Sequence, residues 1–212
     1  MPQPTNDRPS PRGPCRLFIV SGPSGVGKTT IAKAVLRRCP WLATTVSYTT
    51  RTERLGKKED KTMIHVDEET FRDKVNRGEF LEWAVVHGML YGTDGPTVRE
   101  RLKTRHLLLN IDPQGALQIK CKMPERTVLI FLKAESADEL VARIQKRQQM
   151  NPQELENRLA SARRELRLAR HYDYVILNQH GRVRETIHRV TTLITRLANT
   201  RASRAPAAGK TA

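Results

Sequence analysis

Gly22-Pro23-Ser24-Gly25-Val26-Gly27-Lys28-Thr29 fits the pattern GxxxxGK[ST] at every fixed position. Glycines in such a run adopt backbone conformations closed to other residues, and their N–H groups can converge on phosphate oxygens. A helix expected over Thr29–Cys39 would turn the positive end of its dipole, at Thr29 and Thr30, towards the same anion. In this arrangement Lys28 reaches the β- and γ-phosphates and the Thr29 hydroxyl holds Mg²⁺. The loop therefore predicts a nucleoside triphosphate bound with Mg²⁺. It does not choose the reaction, because GTPases, motor ATPases and nucleotide kinases share it. No NKxD-type base-reading motif is present, and 212 residues are few for a multimeric ATPase.

The elements around the loop set its geometry. Arg16–Val20 is a short apolar run before it, and strand, Gly-rich loop and helix in that order open a βαβ unit. Leu107–Ile111, Val128–Leu132 and Tyr174–Leu177 read as further strands, continuous enough in apolar character for a parallel sheet covered on both faces. Helices are expected at Glu68–Arg77, Pro96–Lys103, Ala137–Gln148, Pro152–Ala169 and Val183–Leu197. The fold class is thus α/β, a parallel core sheet flanked by helices. The polar, short-stranded stretch of about 44–95 reads as a small inserted subdomain, and about 143–165 as a helical lid. Residues 15–198 form one domain between a Pro-rich tail (1–14) and a basic tail (199–212), both expected to be disordered.

Composition removes other classes. Subtracting 22 acids from 38 bases leaves +16, yet no run of five bases and no zinc-finger spacing accompanies that charge. Nucleic-acid binding is therefore expected to be at most weak and non-specific. No apolar stretch approaches the roughly 20 residues of a membrane helix, and the N-terminus carries no secretory h-region. Cys15, Cys39 and Cys121, odd in number and without CxxC spacing, suit a reducing cytoplasm and read as ordinary small apolar residues. The oligomeric state is left open.

Downstream stretches carry a more specific likeness. Val46-Ser47-Tyr48-Thr49-Thr50-Arg51 with Arg54 and Gly56, then Phe80-Leu81-Glu82-Trp83, Tyr91-Gly92-Thr93 and Asn110-Ile111-Asp112-Pro113-Gln114-Gly115 follow in order. Arg143…Arg147, the Arg158-Leu159…Glu165-Leu166 segment and Val175-Ile176-Leu177-Asn178 complete the series. From about Cys15 to Leu197 the chain resembles the guanylate kinases, as a divergent member. That resemblance implies transfer from MgATP to GMP and dGMP, with small nucleotides as partners and a P-loop core bearing an inserted nucleoside-monophosphate subdomain. It assigns GMP to Ser47, Arg51, Arg54, Glu82, Tyr91, Thr93 and Asp112. Lys28, Arg51, Arg147 and Arg158 become the catalytic cations, and Asn178 joins the loop as a contact to the donor's adenosine. The chemistry is coherent: guanine offers N1–H and its N2 amine side by side, which one carboxylate can accept together, whereas adenine has no N1–H. On this reading Ser47 and Thr93 donate to O6, and Asp112 accepts from the amine.

Three departures stand out. Lys57, Asp60 and Met63 occupy places where the family usually carries Glu, Gly and a phosphate-binding Tyr. Asn110 ends the strand where an Asp is expected, with Asp112 read as sharing its face. Gln148 replaces the usual Gly after Arg147, and Pro152 stands in a usually acidic region. They leave two alternatives: the same scaffold acting on another phosphate ester such as ribose 1,5-bisphosphate, or a catalytically weak binding module.

Overall fold

The structure, a computed structural model, describes residues 13–52, 63–86, 88–145 and 151–200. Along the chain run β1 (Leu17–Ser21), α1 (Lys28–Arg38), β2 (Ser47–Thr49), β3 (Met63–His65), α2 (Glu68–Asn76), β4 (Phe80–Val86), β5 (Met89–Asp94) and α3 (Gly95–Arg101). Then come β6 (Leu107–Asn110), α4 (Pro113–Lys122), β7 (Thr127–Lys133), α5 (Ala137–Gln145), α6 (Pro152–Arg167), β8 (Tyr174–Leu177) and α7 (Val183–Asn199).

The core sheet has the order β6-β1-β7-β8, all parallel, with Ile19 of β1 opposite Leu109 and Leu129. Every residue of β1 is buried, and alternate side chains serve two cores. Phe18 and Val20 pack with Ile31 and Val35 of α1 and Val190 and Ile194 of α7. Leu17 and Ile19 pack on the other face with Val98 of α3 and Ile119 of α4. Coverage on both faces is the reason these strands read as unbroken apolar runs rather than alternating ones.

The second sheet, in the order β3-β2-β5-β4, is built within residues 47–94. β5 runs antiparallel to β2 and β4, whereas β3 joins β2 in parallel. A register shift lies between Phe80 and Glu82, so the ladder is locally bulged where the buried acid sits. Bulges of this kind re-aim a side chain.

Several element ends differ from expectation. The sixth helix gives way after Arg167 to a 3₁₀ turn over Leu168–His171, and α7 continues through Asn199, into the segment assigned to the basic tail. β6 stops at Asn110, because Asp112 begins the next helix as its N-cap rather than extending the strand. Among the cysteines, Cys15 and Cys39 are buried, but Cys121 is exposed on α4 and contributes nothing to the core.

Candidate active site

The loop between β1 and α1 is fixed from several directions. Gly22 has φ +143°, and a Cβ on it would run into the Leu132 carbonyl, so no other residue fits the turn. Lys28 Nζ donates to the carbonyls of Gly22 (2.6 Å) and Pro23 (3.1 Å), lying over the loop. Ser21 Oγ donates to Ile111 O at 2.9 Å, tying the loop's entrance to the end of β6. Thr29 and Thr30 are exposed at the start of α1, and Thr29 Oγ1 accepts from Asn110 Nδ2 at 3.1 Å.

Asn178 has a part that the sequence reading did not foresee. It is buried just beyond β8, and its Nδ2 donates to Val26 O at 2.8 Å. The amide nitrogen is therefore committed to bracing the loop, and only its buried Oδ1 is left without a partner. Arg143 supports the same place: it donates to Asn178 O (2.9 Å) and Val26 O (3.4 Å) and pairs with Glu139.

The other end of the site is acidic, with one of its carboxylates buried. Glu82, on β4, is 3% exposed, and Thr93 Oγ1 of β5 donates to its Oε1 at 2.5 Å. Burial pushes the Glu82 carboxyl up to about 7; the nearby Asp112 charge adds to the rise, while Thr93 and Lys122 oppose it. Thr93 thus spends its proton on Glu82. At the sequence level that hydroxyl is given to the guanine O6; Ser47, its cross-strand neighbour, also lines the cleft. Asp112 caps α4: its Oδ1 accepts from the N–H groups of Gln114 (2.8 Å) and Gly115 (3.1 Å). Gly115 is the hinge of this packing. A Cβ there would collide with Glu82 Oε2 and approach Asp112 Oδ2 to 3.3 Å, so its lack of a side chain lets both carboxylates face one space.

A cleft of about 320 Å³ joins the two ends. Lys28 and Thr29 line it on the loop side, and Ser47, Glu82, Tyr91 and Asp112 on the other. Arg51 lies against an adjoining hollow that shares Thr29, Ser47 and Met63 with the cleft. Its Nη2 stands 4.0 Å from Met63 Sδ, and its carbonyl is hydrogen-bonded to His65 Nδ1 at 2.6 Å. Arg158, on α6, is not among the cleft-lining side chains; its Nη2 donates to Glu154 at 2.9 Å and its buried Nε has no partner. Arg54 and Arg147, like Lys57, Asp60 and Gln148, lie outside the described residues.

Comparison with known proteins decides the family. The guanylate kinase family model matches residues 14–197. The chain belongs to the guanylate kinase family. A guanylate kinase of Syntrophomonas wolfei is 40% identical over 179 residues, 84% of this chain and 90% of that protein. One from Prochlorococcus marinus is 39% identical over 84% of this chain and 96% of its own length. The solved guanylate kinase of Anaplasma phagocytophilum superposes with a TM-score of 0.71 at 29% identity, covering 89% of each chain. As in that fold, the α/β core is a parallel sheet between helices.

Ser161 of α6, unnamed at the sequence level, lines the cleft of this guanylate kinase beside Glu165, a residue of the family-like segment that was given no role. The available signal was their spacing from Arg158, three and seven residues on, which puts all three on one helical face. Among the described residues no His, Cys, Asp or Glu cluster could hold a metal by itself. An exposed Thr29 hydroxyl beside the loop fits a Mg²⁺ that takes its other ligands from phosphates and water.

Proposed function

We propose that this guanylate kinase transfers the terminal phosphoryl group of MgATP to GMP and dGMP, giving ADP and the diphosphate, by direct in-line displacement. The observation that carries the acceptor assignment is Glu82, a buried carboxylate held by Thr93 and paired with Asp112 across Gly115. A buried carboxylate is costly unless well supplied with donors, and guanine adds two to the one from Thr93: N1–H and the N2 amine donate to the Glu82 carboxylate, with Asp112 Oδ2 accepting from the amine. Adenine brings no N1–H and leaves the acid unsatisfied. Ser47 donates to O6. Arg51, Arg54 and Tyr91 take the acceptor phosphate, for which the planar guanidinium fork is suited.

At the other end the loop amides and Lys28 hold the donor's phosphates. Mg²⁺, held by Thr29 and the phosphates, would neutralise charge on the transferring group. Lys28, Arg51, Arg147 and Arg158 spread positive charge around the equatorial oxygens, where most of the catalysis of phosphoryl transfer resides. Asn178 belongs to the donor side through the loop it braces. The basic surface adds at most weak, salt-sensitive affinity for nucleic acid.

The test is ADP release with MgATP and GMP, dGMP, AMP, UMP or ribose 1,5-bisphosphate offered separately, beside a Lys28→Ala control. Turnover with GMP and dGMP but not AMP is expected. Turnover with the ribose ester alone would overturn the acceptor assignment. ATP binding without turnover of any acceptor would make the chain a binding module.

A further inference from the structure

The strand that carries Glu82 is held from outside its own sheet. β4 is the outermost strand in the order β3-β2-β5-β4, so one row of its backbone groups points away from β5. α4 meets that row. Gln118 Nε2 donates to Trp83 O at 3.1 Å, and Trp83 N–H donates back to Gln118 Oε1 at 3.4 Å. One side-chain amide thus answers both the donor and the acceptor of a single residue, as a neighbouring strand would. One turn further along α4, Lys122 Nζ donates to Leu81 O at 2.7 Å. Leu81 and Trp83 flank Glu82, so the backbone on either side of the acid is tied to the helix. These contacts lie on one stripe of α4, where Gly115, Gln118 and Lys122 recur at helical spacing beyond the Asp112 cap. Gly115 is the point at which the helix comes against the Glu82 carboxylate itself. Gln118 is not among the cleft-lining side chains, and the reaction described above gives it no part.

We propose that Gln118 is a positioning residue for the acceptor base: by tying Trp83 of β4 to α4, it fixes the span between the Glu82 carboxylate and Asp112 at the head of that helix. This rests on the guanylate kinase reading and extends it to a side chain outside the cleft. The two acids stand on different elements. Guanine's N2 amine, with two hydrogens to donate, is the group that must reach both, while its N1–H asks for Glu82 alone. Pairing with β5 fixes Glu82 relative to Thr93. Its distance from Asp112 is set instead across the gap between strand and helix, which Gln118, Lys122 and Gly115 bridge. Lys122 reaches one carbonyl through a flexible stem, whereas the Gln118 amide grips both backbone groups of Trp83. Released from that grip, Glu82 can still follow N1–H, but the two acids no longer meet the amine together.

The experiment compares Gln118→Met, which keeps the length of the side chain without its hydrogen bonds, with Gln118→Ala, Glu82→Gln and the Gln118→Met/Glu82→Gln double variant. Tm, kcat, the KM for ATP and kcat/KM for GMP and for inosine monophosphate are measured on the full chain. Inosine monophosphate keeps N1–H and O6 but lacks the N2 amine, so it asks for Glu82 without Asp112. Q118M is expected to lower kcat/KM for GMP about fivefold, through KM, and that for inosine monophosphate less than about twofold, which narrows the preference between them. The KM for ATP should stay within about twofold. In the E82Q background Q118M should cost GMP less than about twofold, because the acid it positions is gone. Q118A should show the same narrowed preference as Q118M, whatever its Tm. Equal losses for the two acceptors, or a KM for ATP that rises in step, would make Gln118 a prop of the fold and overturn the proposal. So would a Q118M indistinguishable from the parent. Failure of the kinase reading itself looks different: the parent protein would then turn over no GMP, or E82Q would leave its preference for GMP over AMP intact.

Discussion

The donor loop and the acceptor pocket of this site are built in different ways. The loop is mostly backbone: three spaced glycines, one lysine and a helix start, braced from behind by Asn178 and Arg143. The pocket is mostly side chains brought from separate elements, with Glu82 on β4, Thr93 on β5 and Asp112 at the head of α4. A backbone cradle recognises phosphate in any nucleotide, whereas a buried carboxylate recognises the one base whose edge can satisfy it. In the proposed function, affinity for phosphate therefore resides in the contiguous half and choice of substrate in the dispersed half.

The largest expected effect lies in the donor half. Lys28→Ala removes the cation of the phosphate loop and should lower kcat by about a thousandfold. Single-turnover kinetics should assign that loss to chemistry, with GMP binding unchanged. A comparable loss of GMP affinity would break the division between the halves.

Next comes Glu82→Gln. Glutamine keeps an acceptor but turns a donor towards N1–H, so kcat/KM for GMP should fall about a hundredfold or more, and the KM for ATP should hold. The same residue gives a pH signature. With its carboxyl raised to about 7, Glu82 is increasingly protonated below neutrality, and only the charged form accepts both guanine donors. The KM for GMP should therefore climb as pH falls below about 7, approaching tenfold per unit, and E82Q should abolish that slope. Stability moves the opposite way. A carboxyl whose pKa is raised by folding binds more protons in the native state, so stability falls as pH climbs from the carboxyl's ordinary range towards about 7. E82Q should consequently have a higher Tm than the parent at pH 8, a result that separates recognition from folding. A flat GMP profile in the parent protein would remove the charge from the specificity argument.

The two halves were also unequally legible. Gly22–Thr29 could be read from the chain because its geometry is local and its spacing fixed by a single turn. The apolar runs of β1, β6 and β7 gave away the covered parallel sheet in the same way. The commitment of Thr93 to Glu82 could not be read, since it depends on β4 pairing with β5 through a bulge. Nor could the brace from Asn178, a residue named only as a contact to the donor, since its amide meets Val26 after the chain has crossed 152 residues. Asp112 looked like a strand residue because sequence spacing carries no mark of where β6 yields to a helix cap; Pro113 at the first helical position was the clue.

A smaller effect should come from Gly115→Ala. Its new methyl would meet Glu82 Oε2 and press towards Asp112, displacing the two carboxylates without altering a charge. The KM for GMP should rise about tenfold with the ATP side untouched, a cost of the size expected for overpacking a buried site. An unchanged KM would mean that Glu82 relaxes freely, and that the pocket is less rigid than its burial implies.

The smallest effect tests the seam between the halves. Asn110 ends β6 beside the loop and gives its amide hydrogen to Thr29 Oγ1, the hydroxyl assigned to Mg²⁺. Asn110→Asp replaces that donor with an acceptor and adds a negative charge at an exposed position. Two consequences compete. A carboxylate is a stronger ligand for a hard cation or its water shell than an amide, but it also repels the donor's phosphates. Charges in an exposed setting are screened, so repulsion over the longer path to the phosphates should weigh less than attraction for an adjacent divalent ion. The Mg²⁺ concentration giving half-maximal rate at fixed ATP should then fall about threefold, with the KM for GMP unchanged. A rise in that concentration would reverse the ranking and identify Asn110 as the residue that spares the donor phosphates a neighbouring charge.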